Sequence, residues 1–141
     1  MPSCVFCDIV AQRAPASIAY EDEVCLACMT IEPINTGHVL LLPKRHVVTL
    51  DDCEDAVARH LVSVLKTLNR AVQSATGSQG VLNEIMNGEA AGQEVFHLHI
   101  HIIPRNAGDG FGWHYPQGYG RMPRDRLDVA ASKIREHLTK R

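Results

Sequence analysis

Hydrophobic positions along this chain switch between two periods, and each switch marks a change of element. From Val95 to Arg105 the alternation is strict: Val95-Phe96-His97-Leu98-His99-Ile100-His101-Ile102-Ile103-Pro104-Arg105. Period two predicts a strand, with His97, His99 and His101 on one face and Phe96, Leu98, Ile100 and Ile102 on the other. Upstream, residues 17–22 and 23–31 predict two tightly joined strands, residues 38–43 a third strand stopped by Pro43, and residues 80–87 a fourth. Between them Val57, Leu61, Val64, Leu65, Leu68, Ala71, Val72 and Ala75 recur every three or four positions up to Gly77, with Asp51-Asp52 reading as the cap. That is a long amphipathic helix. Residues 9–15 suggest a short helix ending in a turn, and residues 125–140, with Leu127, Ala130, Ile134 and Leu138, a basic closing helix. Residues 106–123, rich in Gly and Pro and dotted with Phe111, Trp113, Tyr115 and Tyr119, read as loop.

The chain's 141 residues suit one domain: a core at 1–105, the loop at 106–123 and the helix at 124–141. No apolar run approaches the roughly 18 residues a membrane span needs, and no signal segment opens the chain. The expectation is a cytoplasmic protein without a membrane partner. A formal net charge of −2 argues against a nucleic-acid polymer as partner. Five cysteines without a secretion signal point to metal binding more than to disulfides.

Cys4-x-x-Cys7 and Cys25-x-x-Cys28 mimic the spacing of a four-cysteine zinc ribbon, but the second pair lies inside an apolar strand, where residues three apart face opposite ways. Cys25 and Cys28 therefore read as small core residues. Cys4 and Cys7 lie where the chain is free to turn, and His46 and His97 are the natural completions of a tetrahedral zinc site; free thiols are the alternative. A closed set of this kind would be structural.

A histidine in a strand is most often a polar residue with a hydrogen-bond partner; three in register are harder to dismiss. With His97 given to the metal, His99 is best placed to present a ring nitrogen to substrate, flanked by His101 and by His38. Neutral imidazole is a competent nucleophile toward phosphorus, provided its tautomer and approach are fixed. A backbone carbonyl accepting a hydrogen bond from the other ring nitrogen would fix both. No phosphate-cradling GxxxxGK[ST] loop occurs. His60, His114 and His137 read as ordinary helix and loop positions.

His97-Leu98-His99-Ile100-His101-Ile102-Ile103 resembles the motif that names the histidine-triad nucleotide-binding family. The likeness extends to Gly92-Gln93, to Thr36-Gly37-His38 through Lys44-Arg45-His46, and to Cys4-Val5-Phe6-Cys7. It implies an α+β fold with a five-stranded antiparallel sheet, and a homodimer whose sheets become continuous. It also implies hydrolysis or transfer at the α-phosphate of a small-molecule purine nucleotide, either a phosphoramidate or a dinucleoside polyphosphate. In that picture His99 attacks to form a nucleotidyl-histidine, His101 and His38 support it, and Gln93 lies near the scissile bond. Phe6, Ile9 and Ile31 line the base pocket, and Asn87 adds a second amide. Zinc-bearing members of the family match at Cys4, Cys7, His46 and His97. Three positions depart from the pattern: Thr30 stands where relatives hold the ribose with Asp or Asn, Glu94 where the phosphoramidase branch has serine, and Met86 where an amide is common. A nucleotide-binding regulator and a hydrolase with a catalytic metal on all three strand histidines are the competing readings.

Overall fold

The computed structural model describes residues 3–138, which form two compact units, one up to Phe111 and one from Gly112 onward. The first unit is an α+β fold around one five-stranded antiparallel sheet. Its strands are β1 (Ile18–Glu21), β2 (Cys25–Met29), β3 (Val39–Pro43), β4 (Gly80–Ile85) and β5 (Ile100–Arg105), in the spatial order β1-β2-β3-β5-β4. β2 and β3 read as unbroken apolar runs because they are buried on both faces. Cys25, Ala27, Val39, Leu41, Ile100 and Ile102 face a helix, whereas Leu26, Cys28, Leu40 and Leu42 face Phe6. Cys25 and Cys28 thus sit on opposite sides of the sheet.

The covering helix, α2 (Asp55–Thr76), buries Leu61, Val64, Leu68 and Val72, spaced to form a single stripe. It ends where Gly77 takes the left-handed conformation (φ 67°) and donates its N–H to the Gln73 carbonyl. Its start differs from the sequence expectation. Asp51 and Asp52 belong to a separate 3₁₀ turn, Leu50–Asp52, in which Asp52 Oδ2 accepts from Thr49 N and Oγ1. The helix begins three residues later, after Glu54, because Asp52 is already committed to its own turn.

Two further boundaries move. The first helix, α1 (Val5–Val10), starts before the expected segment and puts Cys4 at its N-cap and Cys7 in its first turn. β5 begins only at Ile100, although the alternation predicts a strand from Val95. The last β4–β5 pair is Ile85 with Ile100; beyond it residues 86–93 turn away, leaving Leu98 with one bond, N–H to the Val47 carbonyl at 2.7 Å. Side-chain alternation survives the loss of the ladder, since Leu98 still joins the α2-side core, but Phe96 is half exposed instead of packing there.

The start of the Gly/Pro-rich stretch is pinned to the sheet. Arg105 donates from Nε and Nη2 to both Asp109 oxygens (2.7 and 2.8 Å), and Asn35 Nδ2 donates to the same carboxylate at 2.9 Å. In the second unit, Tyr115 and Tyr119 stack with ring centroids 4.1 Å apart, and the last helix, α3 (Arg124–Leu138), has no buried residue. The expected extension of this helix to residue 140 falls outside the described residues. Among the described residues, no helix is long and apolar enough to cross a membrane.

Candidate functional site

Five histidines meet on the Phe6 side of the sheet, and hydrogen bonds decide which nitrogen each presents. His97, fully buried, donates Nε2–H to the Pro43 carbonyl at 2.8 Å. Its Nδ1 is left with a lone pair, 3.4 Å from Cys4 Sγ, 3.6 Å from Cys7 Sγ and 3.1 Å from His46 Nδ1. Cys7 Sγ and His46 Nδ1 are 3.4 Å apart, and all four donor atoms lie within 4.8 Å of one another. The N-cap of α1, its first turn, the segment after β3 and the approach to β5 each supply one.

Two thiols and two imidazole nitrogens suit a tetrahedral zinc. Bonds of about 2.3 Å to sulfur and 2.0–2.1 Å to nitrogen give S···N edges of about 3.5 Å and N···N edges of about 3.4 Å. The separations above fall close to those edges. The Pro43 carbonyl accepts the other ring proton, which fixes the tautomer a metal-bound imidazole requires. Burial, with the adjacent Cys4, pushes the Cys7 thiol up, a bias that a bound cation would reverse.

His99, two residues on, is wired the opposite way. Its Nδ1–H donates to the His97 carbonyl at 2.7 Å, leaving the lone pair on Nε2. The Phe6 ring meets it edge-on at 5.0 Å, and burial lowers its pKa, so the ring is neutral near pH 7. His101 and His38 form a relay. The Ile34 N–H donates to His38 Nδ1 at 3.1 Å, so the neutral ring carries its proton on Nε2, which is 2.9 Å from His101 Nδ1. His101 therefore keeps its own proton on Nε2. Burial, then the neighbouring His99 and His38, lower the His101 pKa to about 4.

These bonds overturn the reading in which all three strand histidines share a catalytic metal. His97 Nδ1 faces the cysteines, while the Nδ1 atoms of His99 and His101 are committed to a carbonyl and to His38. Among the described residues, the donor groups that converge include neither His99 nor His101.

The remaining expected site residues are placed unevenly. Gln93 is a buried brace: Nε2 donates to the Val48 and Val95 carbonyls (2.7 and 3.2 Å), and Oε1 accepts from Gly88 N at 2.8 Å. Both its donors are bonded to backbone, so the side chain is held in place. Asn87 is exposed, and its Oδ1 accepts from Leu50 N at 2.9 Å, tying the loop after β4 to the 3₁₀ turn. Phe6 and the half-buried Ile9 pack in one cluster, but Ile31 is 95% exposed and packs against neither. The turn after β2, where Thr30 Oγ1 accepts from Glu32 N, carries it into solvent. Glu94 is exposed and lines a cleft of about 500 Å³ with Cys4, His46 and Phe96. Sequence reasoning called for a backbone carbonyl behind His99 without naming it, and missed the Pro43 carbonyl and the Ile34 N–H, because nothing in a residue's identity advertises them.

The HIT domain matches residues 11–108. The chain belongs to the HIT family. Adenylylsulfatase HINT3 of Arabidopsis thaliana is 41% identical over 106 residues, 75% of this chain; the chain spans only about half, 54%, of that protein's length. A Streptococcus mutans protein of known structure superposes with a TM-score of 0.89 at 37% identity, covering 98% of this chain and 87% of its own. A zinc-bound histidine triad family protein from Mycobacterium smegmatis does so with a TM-score of 0.74 at 34% identity, covering 96% and 97%. The family match begins after Cys4 and Cys7.

Proposed function

We propose that this HIT protein hydrolyses a purine nucleotide at its α-phosphate through a covalent nucleotidyl intermediate on His99. The observation that carries the proposal is the 2.7 Å bond from His99 Nδ1 to the His97 carbonyl. It holds the nucleophile in the tautomer whose free lone pair is on Nε2 and spares it a competing general base. The Nε2 lone pair attacks phosphorus as the bond to the leaving group breaks. His101, carrying its proton on Nε2 and backed by His38, hydrogen-bonds the phosphoryl or leaving-group oxygen as charge develops there. In a second in-line step water attacks the same phosphorus, the bond from His99 Nε2 to phosphorus breaks, the water's proton passes to solvent to balance the one taken up by the departed leaving group, and His99 is restored. A leaving group joined through sulfate, as the name of the Arabidopsis relative describes, and one joined through nitrogen or a second nucleotide are alternative loads for the same two steps.

Cys4, Cys7, His46 and His97 would hold a structural zinc, which supplies a fixed anchor and no open coordination position. That reading is supported by the fit of the donor set and by the zinc-bound Mycobacterium smegmatis neighbour. A homodimer belongs to the same reading. Among the described residues β4 pairs only with β5, and a groove of about 370 Å³ is lined by Leu50, Leu61, Val62, Ile85 and Ile100.

His99→Ala should lower turnover of an adenosine phosphoramidate by about three orders of magnitude or more while the thermal transition and the zinc content stay as in the native protein. Activity within tenfold of native in that variant would defeat the proposal.

A further inference from the structure

The turn joining β1 to β2 carries a second convergence of donors, on the opposite face of the sheet from Cys4 and Cys7. Asp22 Oδ1 accepts from the backbone N–H groups of Val24 and Cys25, each at 2.8 Å, which fixes the carboxylate and turns Oδ2 outward. Oδ2 accepts from Tyr20 O–H at 2.8 Å and from His60 Nε2, on α2, at 2.7 Å. The Cys25 thiol beside this carboxylate is fully buried. One donor atom each from Asp22, Cys25 and His60 lies within 4.8 Å of the others.

We propose that Asp22, Cys25 and His60 form a second metal site, taking a borderline-soft divalent cation of the zinc class. Asp22-x-x-Cys25 has the spacing of a zinc knuckle, with carboxylate in place of the first thiolate. It sits in a tight turn whose amides already point at the first ligand. Helix α2 brings the third donor, and oxygen, nitrogen and sulfur together favour zinc over calcium or magnesium. As a brace, Asp22 with Tyr20 and His60 needs no sulfur. Cys25, buried and with its thiol pushed up to about 12 by burial and then by Asp22, stays protonated until a cation takes the proton's place.

Binding is balanced in protons. Asp22 is ionised already, held well below the usual carboxylate range by the bonds it accepts. Cys25 gives up its S–H proton to solvent as the sulfur–metal bond forms, and His60 offers its Nε2 lone pair. The charged neighbour Lys44 is paired with Glu21 at 2.8 Å, which offsets its repulsion of a cation. Asp22 and His60 side chains are 24% and 38% exposed, leaving an entry from solvent and a fourth position for water.

The test is a count. Zinc per chain is measured by elemental analysis after zinc loading and desalting, in the native protein, in His60→Ala and in His60→Gln. The glutamine variant keeps an amide donor for Asp22 while lacking a zinc-competent nitrogen. Both variants should hold one equivalent fewer than native, with native thermal transitions; a count that neither variant changes overturns the proposal. Cobalt(II) added to a Cys4→Ser/Cys7→Ser protein should still give a thiolate-to-cobalt charge-transfer band, lost on adding His60→Ala. No such band in a folded double variant likewise overturns it.

Discussion

His97 and His99 are the same residue type, two positions apart on one stretch of chain, and they are wired in opposite senses. His97 gives its Nε2 proton to the Pro43 carbonyl and turns Nδ1 toward two sulfurs, whereas His99 gives its Nδ1 proton to the His97 carbonyl and keeps Nε2 free. A backbone carbonyl, not the ring, chooses the working nitrogen. In the function proposed above one histidine is a ligand and the next a nucleophile, and the carbonyl that would orient the nucleophile belongs to the ligand residue. The metal-type cluster and the reactive ring are thereby coupled through a single peptide unit.

The strongest way to break the contrast is to attack the cluster and watch the nucleophile. Cys7→Ser removes one of four ligands and should weaken zinc binding by more than the roughly 10–100-fold typical of a second-shell change. Zinc competition with a chromogenic chelator would measure it. If turnover falls with zinc occupancy while the protein remains folded, His97 is transmitting the loss to His99; turnover independent of occupancy would separate the two regions.

His38→Ala attacks the other side of the contrast. Without its Nε2–H, His101 loses the bond that holds its proton on the outer nitrogen. We expect kcat to fall about 10- to 100-fold with KM little changed, in line with the loss of one well-placed hydrogen-bonding group in a transition state. Steady-state kinetics with an unfolding control would check this, and an effect confined to KM would contradict it.

The smallest effect is on pH dependence. His101 has a folded pKa lowered to about 4, below the unfolded value near 6.5. Between those values the unfolded chain binds the proton that the folded one refuses, so unfolding becomes easier as pH falls. This contribution to stability is intact above about pH 6.5 and drains away toward pH 4. Urea titrations from pH 7.5 to 4.5 should show that decline, shallower in His101→Gln than in the native protein.

What the sequence revealed follows from what its patterns encode. The alternation around His99 separated core from chemistry even where the ladder is absent, because side-chain direction depends on extended backbone and not on a strand partner. It could not show that β5 starts at Ile100, since that depends on where residues 86–93 leave the sheet. Cys4, Cys7, His46 and His97 were legible as a donor set from chemistry and spacing. Gln93 was not legible as a brace, because an amide advertises hydrogen bonding without saying to whom. Asp51-Asp52 looked like the cap of α2 because aspartate before an apolar stripe usually is one; here Thr49 claims Asp52 first. His60, unremarkable in a helical pattern, acquired partners only when α2 was laid over the β1–β2 turn.

The most direct test is to quench the protein with denaturant at alkaline pH, where a P–N bond to histidine survives, during turnover of an adenosine phosphoramidate, and to map the digested protein by mass spectrometry under non-acidic conditions. An adenylyl group on the peptide holding His97, His99 and His101, assigned to His99 by fragmentation and absent from His99→Ala, is the predicted result. Product forming at full rate with that peptide unmodified throughout, or with the adduct on another residue, would contradict the account.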